Sequence, residues 1–333
     1  MKKVVKDAHK EGMNMYRIGV DLGGTNIAVG IVNETFEIIA KGSTPTLTGR
    51  PGKEIASDIA ALCKKLIAEA GITETDVLSL GLASPGVSDD NTGCIIYANN
   101  LKFRNFPMLP LLKKELNIPQ MHIANDANAA ALGEAMAGAA KGSQSSIMIT
   151  LGTGVGGGII SDGKIFDGFN HAAGELGHIV IAVDGVPCSC GRRGCWEAYS
   201  SATALIRMTK EKLDECKREG RETKMETIVA EYGKVSGRTA FDGMRAGDEA
   251  ATEVVNTYIK YLAAGIANII NAFEPEILSI GGGISNEGDY LLNLLIPALR
   301  GNIYAQGRIP ETTIRIAQLR GDAGIVGAAA LGC

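Results

Sequence analysis

The sequence lacks the features that mark several classes of protein. Its 33 lysines and arginines are outnumbered by 37 acidic residues, so no basic excess points to a nucleic acid or an anionic membrane as a partner. No apolar run approaches the roughly 20 residues that span a bilayer. The first residues, MKKVVKDAHKEGMNMYR, lack the apolar core of a signal peptide. We therefore expect a cytoplasmic protein with neither nucleic acid nor a membrane as partner.

The length of the chain predicts two domains. Its 333 residues exceed what one hydrophobic core usually organises. We expect a polar lead over 1–15, explained either by disorder or by a start at Met13 or Met15. A small α/β lobe is predicted over 16–124, completed by a C-terminal helix over 322–333, and a large α/β lobe over 125–321.

Two stretches predict the same local structure. From Tyr16, YRIGVDLGGTNIAVGIVNETFEIIAKGSTP is three β-rich runs joined by turn residues, which is typical of an antiparallel meander. IGVDLGGTNIAVGIV and ITLGTGVGGGIISDG both consist of a strand, a glycine–threonine turn and a strand. This similarity indicates an old duplication into two domains that face a cleft. Further patterns predict helices over 53–70, 197–219 and 248–273, in DYLLNLLIPALR, and in GDAGIVGAAAL with Asp322 as its cap.

The glycines of LGTGVGGG allow several interpretations. Residues 152–157 have the spacing G-x-G-x-x-G of a dinucleotide-binding turn, but that turn requires a helix after it, and IISDGKIF predicts a hairpin instead. GIISDGKI resembles a P-loop except that Ile165 replaces the hydroxyl residue. The remaining alternatives are tight hairpins without further function, or turns whose N–H groups approach phosphate oxygens, with Thr25 and Thr153 as hydroxyl donors. A third glycine cluster, GGGIS at 281–285, favours phosphate binding.

Polar side chains border several apolar runs and suit a polyhydroxylated ligand. They occur in ASPG, in the pair Asn99 and Asn100, in NDAN and in GELGH. Asp126 directly precedes an alanine-rich helix, where it would act as an N-cap that accepts backbone N–H bonds. Alternatively, its carboxylate would accept the proton of an attacking hydroxyl, as phosphoryl transfer to an alcohol requires.

Three of the seven cysteines fall within CSCGRRGC. A redox pair would need C-x-x-C, and a disulfide between Cys188 and Cys190 would close a very tight ring. Together with His178, the three thiolates form the closed tetrahedral set that structural zinc prefers. We therefore predict a zinc site that fixes the loop and does not activate water, with ligands His178, Cys188, Cys190 and Cys195.

In combination, these motifs resemble the ROK family of sugar kinases and sugar-responsive repressors. The family lies within the actin-like and hexokinase-like ATPase superfamily. The resemblance runs from Tyr16 to the end of the chain and rests on DLGGTN, ASPG, NDANAAALGE, LGTGVGGG, and GELGH followed by CSCGRRGCWE. It implies a two-lobed α/β fold of duplicated ribonuclease H-like domains with a cleft between the lobes.

The resemblance also implies roles for individual residues. Asp126 would be the general base, Asp21 would lie near magnesium and hold it indirectly, and His178 would serve both sugar and zinc. Residues that would bind the sugar are Gly86, Asn100, Asn125, Asp126, Glu175, His178 and Glu197. Residues that would bind ATP are Asp21, Gly23, Gly24, Thr25, Asn26, Gly152, Thr153, Gly154, Gly156, Gly157 and Gly282.

The implied activity is ATP-dependent phosphorylation of the 6-hydroxyl of glucose by a homodimer. Kinases of N-acetylmannosamine, N-acetylglucosamine or fructose share most of these motifs and stay alternatives. A sugar-sensing repressor would carry an N-terminal helix-turn-helix domain, and no segment here fits one. A dinucleotide-dependent oxidoreductase would bind nicotinamide where we expect ATP, so titration with both nucleotides separates these two hypotheses.

Overall fold

A computed structural model describes residues 15–333, so most of the predicted lead lies outside the described residues. The strands are β1 (Tyr16–Leu22), β2 (Asn26–Val32), β3 (Ile38–Pro45), β4 (Val77–Ser84), β5 (Val87–Asp89), β6 (Cys94–Ala98), β7 (Phe103–Phe106), β8 (Gln120–Asn125), β9 (Ser146–Leu151), β10 (Val155–Ser161), β11 (Lys164–Ile165), β12 (Ile277–Gly281) and β13 (Thr313–Ile316). The α-helices are α1 (Gly52–Glu69), α2 (Met108–Glu115), α3 (Asp126–Ala137), α4 (Glu197–Ser200), α5 (Ala202–Glu219), α6 (Lys224–Tyr232), α7 (Thr239–Arg245), α8 (Glu249–Phe273), α9 (Asp289–Ala298) and α10 (Ala323–Ala330). Short 3-10 turns cover Glu74–Asp76, Leu176–His178, Gly283–Glu287 and Arg320–Asp322.

The first compact unit is built on a five-stranded sheet of order β3-β2-β1-β4-β8. β1, β2 and β3 form the predicted antiparallel meander, whereas β4 and β8 run parallel to β1. Apolar side chains of β1, β2, β4 and α1 form its core. A separate three-stranded sheet of order β5-β6-β7 follows β4 in the chain.

The second compact unit repeats this topology. Its sheet has the order β11-β10-β9-β12-β13, in which β9, β10 and β11 are antiparallel and β12 and β13 run parallel to β9. The core lies between this sheet and the long helix α8, with Trp196 and Tyr258 among its fully buried side chains. The equal strand order supports the duplication that the sequence predicts.

The first unit also contains the C-terminal helix α10, which packs unusually closely on β1, β4 and α3. A Cβ at Gly19 would overlap the carbonyl oxygen of Ile325, and one at Gly327 would overlap the carbonyl oxygen of Ala129. Only glycine permits such close contact between backbones.

The division of the chain differs from the predicted lobe boundaries. The first unit contains the described residues up to Gly138 together with Gly168–Ala172 and Gly321–Cys333, and the second contains Ala139–Asp167 and Ala173–Arg320. The boundary predicted between 124 and 125 would place α3 in the large lobe, but α3 packs against α10 and belongs to the first unit.

Most predicted helices are confirmed, with two corrections. The helix predicted over 197–219 is interrupted at Ser201, whose backbone is extended and whose hydroxyl accepts the N–H of Ala204 as the cap of α5. Asp322 precedes α10 but makes no capping bond, and its carboxylate pairs with Lys41 instead. In the described part of the chain, no helix is both long and apolar enough to cross a bilayer.

Candidate active site

In the first unit, several predicted site residues lie at one edge of the sheet. β1, β4 and β8 are parallel, so their carboxyl ends meet at the same edge. The register pairs Asp21 with Ala83 and Ser84 with Asn125. Asp126 follows as the first residue of α3. Ligands of open α/β sheets bind outside such strand ends.

Asn125, and not Asp126, is the N-cap of α3. Its Oδ1 accepts the N–H groups of Ala127 and Asn128 at 2.9 and 3.1 Å. The capping interpretation of Asp126 is therefore wrong, because the preceding residue already fills that position. The Asn125 side chain also donates from Nδ2 to the carbonyl oxygen of Gly86 at 2.9 Å.

The charge of Asp126 affects the ionisation of Asp21. Burial, together with the negative charge of Asp126, raises the pKa of Asp21 to about 6, although Lys41 opposes this shift. Burial also raises the pKa of Asp126, against the hydrogen bonds it receives from Ala127 and Asn125. Two neighbouring, half-buried carboxylates are costly when both are ionised, and a cation or an approaching proton relieves that cost.

The β5–β6 hairpin brings Gly86 and Asn100 to this region of the first unit. Gly86 has φ +84°, and a Cβ there would overlap the carbonyl oxygen of Tyr97. Asn100 follows β6 in an exposed turn, and its Cβ lies 3.6 Å from where a Cβ of Gly24 would be. The predicted sugar-binding and nucleotide-binding residues of this unit are therefore neighbours.

The glycine turn between β1 and β2 is held by a residue that sequence analysis missed. The N–H of Gly23 donates to the carbonyl oxygen of Asn26 at 2.9 Å, which closes the turn. Thr46 is fully buried, and its hydroxyl donates to the carbonyl oxygen of Gly23 at 2.7 Å. Thr25 and Asn26 are exposed, so their side chains are accessible to a ligand.

The second glycine turn, between β9 and β10, is a hairpin as predicted. Gly156 and Gly157 lie inside β10, so no helix follows the glycines, and this excludes the dinucleotide-binding turn. The turn is supported by Glu197, whose Oε2 accepts the N–H of Val155 at 3.0 Å. It is also supported by Thr203, whose hydroxyl donates to the carbonyl oxygen of Thr153 at 2.7 Å.

Gly282 lies beside the same turn in the second unit. It follows β12 with φ +82°, and a Cβ there would lie 2.6 Å from backbone atoms of Leu151. The structure thus places Gly282 against the end of β9, next to Gly152.

The GELGH segment forms a short turn. Leu176–His178 is a 3-10 turn, and the N–H of His178 donates to the carbonyl oxygen of Glu175 at 3.0 Å. Residues three apart in such a turn lie on one face, so Glu175 and His178 share a face. A Cβ at Gly157 would meet Leu176 at 2.6 Å, so glycine in β10 allows the turn to pack closely.

His178, Cys188, Cys190 and Cys195 come together as a cluster. Their potential ligand atoms all lie within 4.8 Å of one another. The sulfurs of Cys190 and Cys195 are 3.6 Å apart, and Nδ1 of His178 is 3.7 Å from the sulfur of Cys188. Zn–S bonds of about 2.3 Å at a tetrahedral angle place two sulfurs about 3.8 Å apart. The four groups therefore fit a tetrahedral metal ion.

The cluster is no disulfide, because all seven cysteines are free. The backbone N–H of Arg192 is the main cause that lowers the pKa of Cys190 to about 6, which favours the thiolate that binds a metal. Burial raises the pKa of Cys195 to about 11. Arg192 also donates to the carbonyl oxygen of His178 and, at 3.9 Å, to the sulfur of Cys195.

Glu197 connects this cluster to the second glycine turn. While Oε2 accepts from Val155, Oε1 accepts the hydroxyl of Ser189 at 3.1 Å and lies 3.7 Å from the sulfur of Cys188. Sequence analysis missed Ser189 and Arg192, although both stand within CSCGRRGC, because only the fold shows which groups they contact.

The predicted residues thus form one group in each unit. The first unit brings together Asp21, Gly23, Gly24, Thr25, Asn26, Gly86, Asn100, Asn125 and Asp126. The second brings together Gly152, Thr153, Gly154, Gly156, Gly157, Glu175, His178, Cys188, Cys190, Cys195, Glu197 and Gly282.

Comparisons with known proteins define the class and the family. The structure of a ROK family glucokinase from Streptomyces griseus, in complex with glucose and AMPPNP, matches with a TM-score of 0.75 and 33% identity, covering 95% of this chain and 98% of that one. The protein thus has the α/β fold of the hexokinase-like ATPases, as predicted. A model of the ROK family matches residues 17–332, and the chain belongs to this family.

The relatives include sugar kinases of nearly the same length, and also a xylose repressor from Caldicellulosiruptor bescii that is 30% identical over 94% of this chain and 77% of its own length. A glucokinase from Halalkalibacterium halodurans is 38% identical over 93% of this chain and 92% of its own length. An N-acetyl-D-glucosamine kinase from Aliivibrio fischeri is 33% identical over 94% of this chain and 97% of its own length.

Proposed function

We propose that the protein is an ATP-dependent hexose kinase that phosphorylates the 6-hydroxyl of glucose. The observation that carries this proposal is the carboxylate pair Asp21 and Asp126 at the carboxyl edge of the first sheet. A carboxylate whose pKa is raised accepts a proton more effectively near neutral pH. The family membership and the glucokinase relatives support the same activity.

The two glycine turns would bind the phosphates of ATP. The N–H groups that are not bonded within these turns can be approached closely because glycine has no side chain, and Thr25 and Thr153 add hydroxyl donors. Gly282, beside the second turn, would lie near the nucleoside. Magnesium, when bound near Asp21, would offset the charge of the phosphates.

Each unit contains polar groups that we propose as sugar-binding residues. In the first unit these are Asn100, Asn125 and Asp126, with Gly86 close by. In the second unit they are Glu175, His178 and Glu197, whose positions depend on the Cys and His cluster.

The cluster would hold structural zinc. Its four ligands leave no open coordination position, so the metal would fix the loop and the tautomer of His178. Because Nδ1 faces the cluster, Nε2 would point away from the metal and donate to a sugar hydroxyl.

In the reaction, the Asp126 carboxylate accepts the proton of the 6-hydroxyl as that oxygen attacks the γ-phosphorus in line. The bond between the γ-phosphorus and the bridging oxygen breaks, and ADP leaves with both electrons of that bond. The N–H groups of the glycine turns stabilise the charge that develops on the transferred phosphoryl group.

A product assay tests the proposal. Purified, metal-loaded protein with Mg-ATP and glucose should yield equal amounts of ADP and glucose 6-phosphate, identified by phosphorus NMR. The proposal fails if no hexose in a panel of glucose, mannose, fructose and the two N-acetylated hexosamines is phosphorylated.

The second candidate substrate is N-acetylglucosamine, favoured by the Aliivibrio fischeri relative. The ratio of kcat/KM values in the same panel decides between the sugars, because specificity is a difference between transition-state affinities. We further propose that the enzyme acts as a homodimer in the cytoplasm, which size-exclusion chromatography with light scattering and cell fractionation would check.

A further inference from the structure

The turn after β5 is attached to β8 by one carboxylate. Oδ1 of Asp90 accepts the backbone N–H of Ile123 at 2.7 Å, and Oδ2 lies 2.9 Å from Nδ1 of His122. β8 is the last strand of its sheet, so the N–H of Ile123 lies on an edge without a further strand. Asp90 therefore occupies the position where a neighbouring strand would bond.

A second attachment joins the same two segments. Asn125, two residues after Ile123, donates from its side chain to the carbonyl oxygen of Gly86 at 2.9 Å. The segment 86–90 is thus bound to β8 at both of its ends, and its partners on the strand all lie within residues 122–125. Asp126 follows directly, so the position of this segment relative to the proposed base is set by these bonds.

The hairpin bound in this way carries proposed sugar contacts. Gly86 begins it, β5 and β6 pair in antiparallel register, and Asn100 lies just beyond β6. Neither Asp90 nor His122 belongs to the predicted sugar-binding set.

We propose that Asp90, held by His122, is a positioning residue that fixes the hairpin so that Gly86 and Asn100 bind the sugar beside Asp126. This inference rests on the proposed function. The Asp90–His122 pair differs from an ordinary surface ion pair because Asp90 also accepts a backbone N–H of β8, the strand that leads into Asp126.

The electrostatics agree with this geometry. The hydrogen bond that His122 donates to Asp90 is the main cause that raises the pKa of His122. The bonds from His122 and Ile123 lower the pKa of Asp90, outweighing the effect of its burial. Hydrogen bonds between ionised partners are stronger than those between neutral groups.

The test compares binding of sugar with binding of ATP in purified variants. Asp90→Ala and His122→Ala should raise the hexose KM about tenfold with kcat within about twofold, because a displaced hairpin weakens ground state and transition state alike. The KM for ATP should not change. His122→Asn should restore the hexose KM, since the Asn amide nitrogen stands where Nδ1 of histidine stands. Glu69→Ala, which removes the exposed Lys65–Glu69 pair of the same unit, is the matched control.

Calorimetric binding of glucose without ATP and thermal unfolding complete the experiment. A tenfold weaker Kd in both alanine variants, restored in His122→Asn, supports the inference even if the wild-type protein phosphorylates poorly. A lower Tm with unchanged KM and Kd in all variants would show that the pair only protects the sheet edge, and would overturn it. Wild-type protein that neither binds nor phosphorylates any hexose would overturn the proposed function, and this inference with it.

Discussion

The two sheets have the same strand order but carry different groups at equivalent positions. Asp21 on β1 pairs with Ala28 and Ala83. On β9, the residue in the same place before the Leu-Gly turn is Thr150, which pairs with Gly156 and Gly281. In the first unit the last parallel strand leads into Asp126, whereas the equivalent β13 leads into buried, apolar Ala317.

The supports of the two glycine turns differ in the same way. A buried neutral hydroxyl, that of Thr46, holds the first turn. A carboxylate, that of Glu197, holds the second turn and connects it to the Cys and His cluster. The residues proposed for acid–base chemistry thus lie in the first unit, and the residues proposed to bind a metal lie in the second.

Among the variants that test the difference between the two sheets, Asp21→Asn should cause the largest loss of activity. Without the carboxylate that we propose lies near magnesium, kcat should fall about 10²- to 10³-fold with glucose and Mg-ATP. Thr150→Val, at the equivalent position of the second sheet, should cost less than about fivefold. Similar losses in the two variants would contradict the division of roles between the sheets.

The same Asp21→Asn substitution should stabilise the protein when no nucleotide is bound. The pKa of Asp21 is raised from 3.8 to about 6, so the stability associated with its protonated form is present below pH 3.8 and is lost as pH rises through about 6. The variant should therefore have a Tm about 2 °C above wild type at pH 8, and this gain should vanish towards pH 4. An unchanged Tm at pH 8 would argue against an unfavourable charge on Asp21, which burial and the nearby Asp126 both predict.

Cys190→Ser tests the metal-stabilised loop. Loss of one ligand should abolish stoichiometric zinc, lower Tm by about 5 °C, and raise the hexose KM about tenfold because Glu175, His178 and Glu197 lose their support. Metal analysis, thermal unfolding and steady-state kinetics measure these effects. Cys94→Ser, at a half-exposed thiol outside the cluster, is the control. A variant that lost zinc but kept normal kinetics and Tm would show that the cluster contributes neither to sugar binding nor to stability.

Thr46→Val should have the smallest effect. Valine has nearly the same shape as threonine but lacks the hydroxyl that donates to the carbonyl oxygen of Gly23. The substitution should therefore lower the free energy of unfolding by about 1 kcal/mol. The KM for ATP should rise about threefold because the first turn loosens. Thr46→Ser keeps the hydroxyl and should behave as wild type; equal defects in both variants would assign the effect to packing instead.

Local patterns were sufficient to predict much of the fold. Glycine and Ser-Asp-Gly turns between β-rich runs identified both meanders, and the hairpin signal after Gly157 correctly excluded a dinucleotide-binding helix. Ligand spacing alone predicted the cluster of His178 with three cysteines, because metal ligands close in sequence have few other arrangements.

What sequence could not supply depends on contacts between distant segments. Asp126 was a plausible cap until the structure showed Asn125 in that position. Asp322 was expected to cap α10, but its carboxylate forms an ion pair with Lys41 of β3 instead. Likewise, α3 follows β8 in the chain, yet its packing partner is the C-terminal helix, which no local pattern indicates.

The most direct test of the account is the pH dependence of kcat for wild type and Asp126→Asn, with glucose binding measured by calorimetry. The pKa of Asp126 is raised by burial, so wild-type kcat should fall as pH drops through that raised pKa, because the protonated carboxyl accepts no proton. The asparagine variant should bind glucose within about threefold of wild type but lose about 10³-fold in kcat, with no acid limb in its profile. A variant that keeps a tenth or more of wild-type kcat, with the same acid limb, would contradict Asp126 as the base.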